Sequence, residues 1–315
     1  MEYDIIGDVH GQADKLEALL QAMGYRDTAG AYRHPSRKAI FVGDFVDRGP
    51  RQVDVYRMAR GMVEADSAMA ILGNHEFNAI AWHLPDPGAG AGDSGHFLRP
   101  RHGEWGTKNR HQHSAFLAEV EGTPVHAEII DWFLTLPLWL DLPGLRVVHA
   151  CWHDEYMAEL EPLLGPDRTL TPELMVRASR SDDLVFRAVE GLTKGLEVAL
   201  PPGHSFHDKD GHERRNVRVR WWDELASSYR DLALMPEENR AKLPDIRMMD
   251  TKPIYDQKKP VFFGHYWMQG EPAVQADRMA CVDYSAGKGG PLVAYRWSGE
   301  QVLDSRNFVS TAGLN

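Results

Sequence analysis

Two observations predict an α/β fold for this chain. Short β-prone apolar runs alternate with helix-patterned segments from the first residues to about Leu84, and three of those runs end on a glycine followed by Asp or Asn. Such alternation builds βαβ units, and ligands of such sheets collect beyond the carboxyl ends of the strands.

Tyr3 to Ile6 reads as a strand ending at Gly7-Asp8. Leu16, Leu19, Leu20 and Met23 then recur at helical spacing up to Gly24, a C-cap. Ala39 to Val42 leads into Gly43-Asp44, and Pro50 opens a helix through Met58 and Met62. A third run, Ala68 to Leu72, leads into Gly73-Asn74, with helix texture from Glu76 to Trp82. From Pro85 to His113 the pattern dissolves into Gly, Pro, Arg and His, a loop long enough to be functional or disordered. Order returns with a helix over Ile129 to Leu134, a run at Leu138 to Leu142, and a strand from Leu145 to Val148 that delivers His149. In the coarser stretch that follows, Thr171-Pro172 starts one helix, Asp182 to Gly195 continues another, and Pro201-Pro202-Gly203 ends it. Pro260 to Phe263 leads into Gly264-His265, then come Met279 to Asp283 and Leu292 to Trp297, the last closing a hairpin with Gln301 to Leu303 around Ser298-Gly299. The expected organisation is one catalytic domain, 1–315, with a loop and helix insertion at 85–126 near the site and an inserted cap or lid at 153–260.

A net charge of −11 disfavours a partner gripped through an extended nucleic-acid backbone. The longest apolar stretch, Trp132 to Leu142, contains Pro137 and Asp141 and is too short to span a bilayer, so no membrane partner is expected. The first motif starts at Gly7, which leaves no room for a cleavable leader. Cys151 and Cys281 read as two reduced thiols, pointing to the cytoplasm.

The residues at the strand ends are metal ligands by type. Asp8 and His10, two apart on an extended segment, share a side and can chelate one ion. Asp44 can bridge, and Asn74, His149 and His265 can complete a second ion. Any one of them alone would read as a turn or a core histidine; together, in order and each after an apolar run, they point to a pair of divalent cations. Two such ions roughly 3.5–4 Å apart generate a hydroxide at neutral pH and neutralise a phosphate ester's oxygens. The imidazole and carboxylate set suits Mn²⁺, with Fe or Zn²⁺ next, better than Ca²⁺.

Gly7 to Gly11, Gly43 to Gly49 and Gly73 to Glu76 resemble the three signature motifs of the calcineurin-like metallophosphoesterase superfamily. The Asp44-x-x-Asp47-Arg48-Gly49 form resembles its phosphoprotein phosphatase branch, which includes bacterial Ser/Thr phosphatases and symmetrical dinucleoside tetraphosphatases. Val147 to Ala150, Phe263 to His265 and the stretch from Cys281 to Leu292 resemble later segments of the bacterial members. The resemblance implies two mixed β-sheets packed as a sandwich flanked by helices, with the metals at one edge. It implies metal one on Asp8, His10 and Asp44, and metal two on Asp44, Asn74, His149 and His265. It makes His75 the general acid, oriented by Asp47, and Arg48 a phosphate contact, with Asn74 also facing substrate. A metal-bound hydroxide would attack phosphorus directly.

Trp267 stands where many relatives carry a further His, so metal one should keep an open position. The Gly-rich Arg segment of eukaryotic protein phosphatases is missing, and Arg218 or Arg220 is the candidate for a second phosphate contact. Trp82, Trp105, Trp152 and Trp267 are candidates for stacking a base, with one or two expected at the site. His204, His207 and His212 read as surface residues before an accessory cluster, and Asp208-Lys209-Asp210-Gly211 as a turn, since it lacks the Glu of a calcium loop. The expected substrate is a small phosphorylated compound or dinucleoside polyphosphate. The rivals are a phosphoprotein Ser/Thr phosphatase and a catalytically silent metal-bound scaffold.

Overall fold

A computed structural model describes residues 1–88, 96–207, 212–248 and 255–313. Its centre is two mixed sheets. The first is built from β1 (Glu2–Ile6), β2 (Arg37–Phe41), β3 (Ala68–Ala70) and, from the far end of the chain, β8 (Val293–Trp297) and β9 (Phe308–Ser310). The second contains β4 (Trp139–Asp141), β5 (Arg146–Val148), β6 (Val261–Phe263) and β7 (Met279–Cys281). Their strand orders are β9-β8-β1-β2-β3 and β7-β6-β5-β4. In the first, β1 runs parallel to β2 and β2 to β3, while β8 is antiparallel to both β1 and β9. In the second, β6 is parallel to β5 and β7, and β4 is antiparallel to β5.

Alternation along each strand creates the layers. Ile5, Ile40, Val42 and Ile71 turn inward to meet Leu145, Val147, Phe262, Ala280 and Val282, forming the core between the sheets. Ile6, Ala39 and Phe41 turn outward onto α1 (Ala13–Ala22) and α2 (Gln52–Glu64), where Leu16, Leu19, Leu20, Tyr56 and Met62 are buried. α3 (Asn74–His83) starts directly at the third motif, with the Glu76 side chain reaching back to accept from the N-cap Gly73 N–H, the N3 half of a capping box.

Two readings of the sequence need correction. The polar stretch before His113 contains a helix, α4 (Gly103–Gln112), followed by α5 (Ser114–Val120) and α6 (Pro124–Phe133). Only Gly106 of α4 is buried, so α4 has no apolar stripe for periodicity to find; Glu104 in its first turn and Arg110 and His111 in its last still suit the helix dipole. The partner of β8 is β9, with Tyr295 opposite Phe308, and not Gln301 to Leu303. The Ser298-Gly299 turn folds onto itself instead, as Ser298 N–H and Trp297 Nε1 both bond to Glu300. Asp304 then caps a 3₁₀ turn that leads the chain into β9.

Residues 153–260 carry α7 (Asp154–Leu160), α8 (Pro172–Ala178) and α9 (Leu184–Lys194), then an antiparallel pair, Glu197–Ala199 with Asn216–Arg218. Trp221 and Trp222 from this stretch pack on Phe263, on the outer face of β6. Cys151 and Cys281 are both buried and unpaired. No helix among the described residues is long and apolar enough to cross a membrane.

Candidate metal centre

The loops after β1, β2 and β6 are held in unfavourable backbone conformations. His10, Asp44, Asp47, Arg48, His265 and Trp267 all have positive φ, at 48°, 53°, 72°, 71°, 73° and 53°. Each such residue costs roughly 1–3 kcal/mol unless its surroundings enforce it. Here Asp44 O accepts from Val9 N–H and His10 N–H at 3.0 and 2.8 Å, tying the first loop to the second. Glu76, fully buried, accepts from Asp44 N–H (2.7 Å), Phe45 N–H (2.8 Å) and Gly73 N–H (3.0 Å), tying the second to the loop after β3. Burial first, and then the charge of Asp44, raise the Glu76 carboxyl to about 7.

The side chains converge in two groups that share one carboxylate. Ligand atoms of His10, Asp44 and His75 lie within 4.8 Å of one another, and so do those of Asp44, His149 and His265. Asn74 Oδ1 is 3.1 Å from His149 Nε2 and 2.8 Å from His265 Nδ1. Asp8 joins through its Oδ2, which accepts from His265 N–H at 3.0 Å, while its Oδ1 is buried without a partner.

Hydrogen bonding fits this donor set to cations. The Nδ1 atoms of His10 and His149 lie 2.9 Å from Val46 O and 2.7 Å from Val42 O, so each ring donates there and turns Nε2 toward Asp44. His10 Nε2 has no hydrogen-bond partner and lies 3.6 Å from Asp44 Oδ2. Burial and the neighbouring His75 lower His10 to about 3, so near neutrality a lone pair faces a carboxylate in a dry site. A cation between them turns that repulsion into two bonds. Asp8, Asp44, Glu76 and Asp283 are all buried here, and the Asp8 carboxyl rises well above its ordinary value through burial and the charges of Asp283 and Asp44. Asp44 goes the other way: burial works against its charge, but His149, His75 and His10 hold it well below the usual range.

His75, a member of the first group, also forms a dyad with Asp47. His75 Nδ1 is 2.5 Å from Asp47 Oδ2, which leaves Nε2 3.9 Å from Asp44 Oδ2. Burial acts to lower His75, yet Asp44 and Asp47 together raise it above its ordinary value. Asp47 Oδ1 lies 2.7 Å from Nδ1 of the buried His113, so one carboxylate contacts two imidazoles. Gln52 fixes the backbone beneath it, accepting from Asp47 N–H at 2.8 Å.

The arrangement matches a known family, whose sequence model, calcineurin-like phosphoesterase, covers residues 1–265. The chain belongs to the calcineurin-like phosphoesterase family. A PrpE bis(5′-nucleosyl)-tetraphosphatase, designated asymmetrical, from Halalkalibacterium halodurans is 45% identical over 76 residues, 24% of this chain and 31% of that protein. The PrpE of Oceanobacillus iheyensis, with the same designation, is 30% identical over 151 residues, 48% of this chain and 55% of that protein. The chain thus spans about a third to just over half of these curated relatives. The motif resemblance had a symmetrical tetraphosphatase group within it, whereas these relatives carry the asymmetrical designation. A cold-active protein-tyrosine phosphatase of a psychrophilic Shewanella shares the fold, with a TM-score of 0.51 at 15% identity over 98% of this chain and 80% of that one.

Arg48 stacks over the Trp267 ring, with Cζ 4.6 Å from its centroid, and Trp267 stacks on His10 at 5.3 Å. Arg218 Nη1 is 3.2 Å from His265 Nε2, whereas Arg220 bonds the Asp231 carbonyl and pairs with Asp223 at 3.1 Å. Of the two arginines, the fold brings only Arg218 to the centre. Trp82 and Trp152 are buried in the core and Trp105 is exposed, leaving Trp267 at the site. His204 and His207 are exposed and fall in no metal-type group among the described residues; Asp208 to Gly211 lie outside those residues. Sequence reasoning missed His113, Gln52, Asp283 and the clamp made by Glu76. Asp283 accepts from Trp267 N–H (2.7 Å) and Ser285 N–H (2.9 Å). The one available signal was Glu76 itself, three residues after the N-cap glycine of α3.

Proposed function

We propose that this chain hydrolyses phosphate esters or anhydrides at a centre of two divalent cations, most suitably Mn²⁺, and that its substrates are small phosphorylated compounds of the dinucleoside polyphosphate type. The observation that carries this reading is the single carboxylate, Asp44, common to the His10, Asp44 and His75 group and the Asp44, His149 and His265 group, with His75 the protonatable member of the first. The names of the relatives support the substrate class. Asp8, His10 and Asp44 would hold one ion; Asp44, Asn74, His149 and His265 the other. His265 contacts Asn74 through Nδ1, so an ion bound there takes the place of a proton among Asn74, His149 and His265. When bound, such a pair of ions activates water and offsets the charge that develops on phosphorus oxygens.

The chain's own groups do the rest. His75 holds a proton on Nε2 for the leaving oxygen, and Asp47 keeps that proton in place by accepting from Nδ1. Arg48, held over Trp267, offers a planar fork to phosphate oxygens, and Arg218 offers a second. Insertions 85–126 and 153–260 act as parts of the site, the first supplying His113 and the second Arg218. Two unpaired buried thiols suit the reducing cytoplasm.

The test is p-nitrophenyl phosphate hydrolysis with Mn²⁺, alongside elemental analysis, for the native protein and Asp44→Asn. The native protein should turn over and hold two ions. Asp44→Asn should lose both ions and nearly all activity, since both groups depend on that carboxylate. A native protein with no turnover, or an Asp44→Asn variant with native rate and metal content, would sink the reading.

A further inference from the structure

A cavity of about 780 Å³ adjoins the metal centre, sharing Arg218, Tyr266 and Trp267 with its rim. We propose that this cavity is a subsite for the polyphosphate chain and terminal nucleoside that extend beyond the phosphorus under attack. The proposal rests on the phosphoesterase reading of the neighbouring centre and adds to it the residues that select a long polyanion over a compact phosphomonoester.

Charge is the first argument. Arg214, Arg215, Arg218 and Lys288 line the cavity against two carboxylates, Glu197 and Glu213. The excess of positive charge is notable in a chain whose net charge is −11. Glu213 pairs with Arg215 at 3.5 Å and Glu197 with the half-buried Arg218 at 3.2 Å, and each acid is about half-exposed, where screening weakens the pair. Lys288 sits 3.8 Å above the Trp267 ring, which links this cationic surface to the ring that also holds Arg48. Guanidinium groups match phosphate oxygens in geometry, so a string of arginines suits a string of phosphates.

Size and lining give the second argument. A single phosphate group on the ions would leave this volume empty, while sites of several hundred Å³ take ligands of nucleotide size. Phe206 and Met235 add apolar surface to the same lining, so the occupant has both a polyanionic part and a flat apolar part. Arg215 and Arg214 lie three and four positions before Arg218, at most about 14 Å along the backbone, a reach that needs several linked phosphates. A phosphopeptide brings its charge to the ions alone and has no matching demand for these arginines.

The experiment compares native protein with Arg215→Gln and with Arg214→Gln/Arg215→Gln. The readout is the ratio of kcat/KM for a dinucleoside tetraphosphate to kcat/KM for p-nitrophenyl phosphate in each preparation. The ratio should fall about tenfold or more in the double variant, the effect of a charge-assisted hydrogen bond in a partly exposed site, and less in the single one. A ratio unchanged in the double variant, or an equal loss on both substrates, overturns the subsite. Calorimetry of inorganic tripolyphosphate binding to the chelator-treated full chain gives a second readout, expected to weaken by a similar factor. If native protein hydrolyses nothing, the phosphoesterase reading fails, and tripolyphosphate affinity still decides the subsite.

Discussion

Replacing Asp47 by Asn isolates the acid half of the proposed chemistry. The carboxylate is buried, with Oδ2 2.5 Å from His75 Nδ1 and Oδ1 2.7 Å from His113 Nδ1. Asn keeps the shape but has one acceptor and no charge, so it can satisfy only one of the two imidazoles. A hydrogen bond to a charged partner contributes about 1.5–3 kcal/mol, which corresponds to roughly 10–100-fold in the fraction of His75 that is protonated and correctly aimed. Cations at Asp44 would offset that carboxylate's pull on His75, leaving Asp47 as the chief anion holding the proton. The ceiling is what His75 itself supplies, about 10²–10⁴-fold. The assay is kcat/KM with Mn²⁺ on two substrates: an alkyl phosphate, whose leaving oxygen needs a proton, and p-nitrophenyl phosphate, whose leaving oxygen does not. Asp47→Asn should slow the first by about 10–100-fold and the second far less. In a His75→Asn background it should add almost nothing. Equal losses on both substrates, or full additivity with His75→Asn, would refute the dyad.

Two further outcomes follow from the geometry. A Cβ at Gly264 would sit 2.0 Å from Asp8 Oδ1 and 2.8 Å from Val42 Cγ2, so Gly264→Ala should swing the Asp8 carboxylate aside. Mn²⁺ titration should show affinity falling roughly 10–100-fold with an unchanged circular dichroism spectrum; native affinity would contradict Asp8 as a ligand. His126 concerns stability and pH. Burial, then His83, His113 and Arg101, lower it to about 4, and Glu121 opposes them only weakly. The unfolded chain takes up a proton there near 6.5 that the fold refuses until about 4, so its stabilisation is complete above 6.5 and is lost as pH falls toward 4. Urea unfolding midpoints at neutral pH and at pH near 5 should therefore drop less in His126→Phe than in native protein; parallel drops would remove His126 from the account.

The sandwich was legible because its strands are apolar runs whose alternate residues face opposite layers, as Ile5 and Ile6 do. Asp8, His10, Asp44, Asn74, His149 and His265 were legible for a related reason. Each follows directly on such a run, and parallel strands bring their carboxyl ends to one edge. α4 escaped because a helix with one buried glycine leaves no periodic trace. His113 escaped because its value lies in a contact with Asp47 that no local pattern encodes. Arg218 and Arg220 were indistinguishable in sequence, being two apart on an extended segment. Only the pairing of Asn216–Arg218 with Glu197–Ala199 settled which arginine meets His265.

Trp267 shows how a departure from a motif carries information of its own. Read as a missing ligand, it implies an open position on the ion held by His10. In the fold its ring stacks on His10 while Arg48 and Lys288 lie against it at 4.6 and 3.8 Å. An imidazole there would add one bond to the ion but would offer a far smaller face to two cations, whose attraction to indole is worth about 0.5–2 kcal/mol each. On the proposed reading, the tryptophan would trade metal affinity for a platform that holds two cations over its ring. Arg48 has φ of 71°, an arrangement that needs such support to persist. Asp283 completes the platform by accepting from the Trp267 backbone N–H, so the β7 end, remote in sequence from the first three motifs, positions the ring on which Arg48, the proposed phosphate contact, rests.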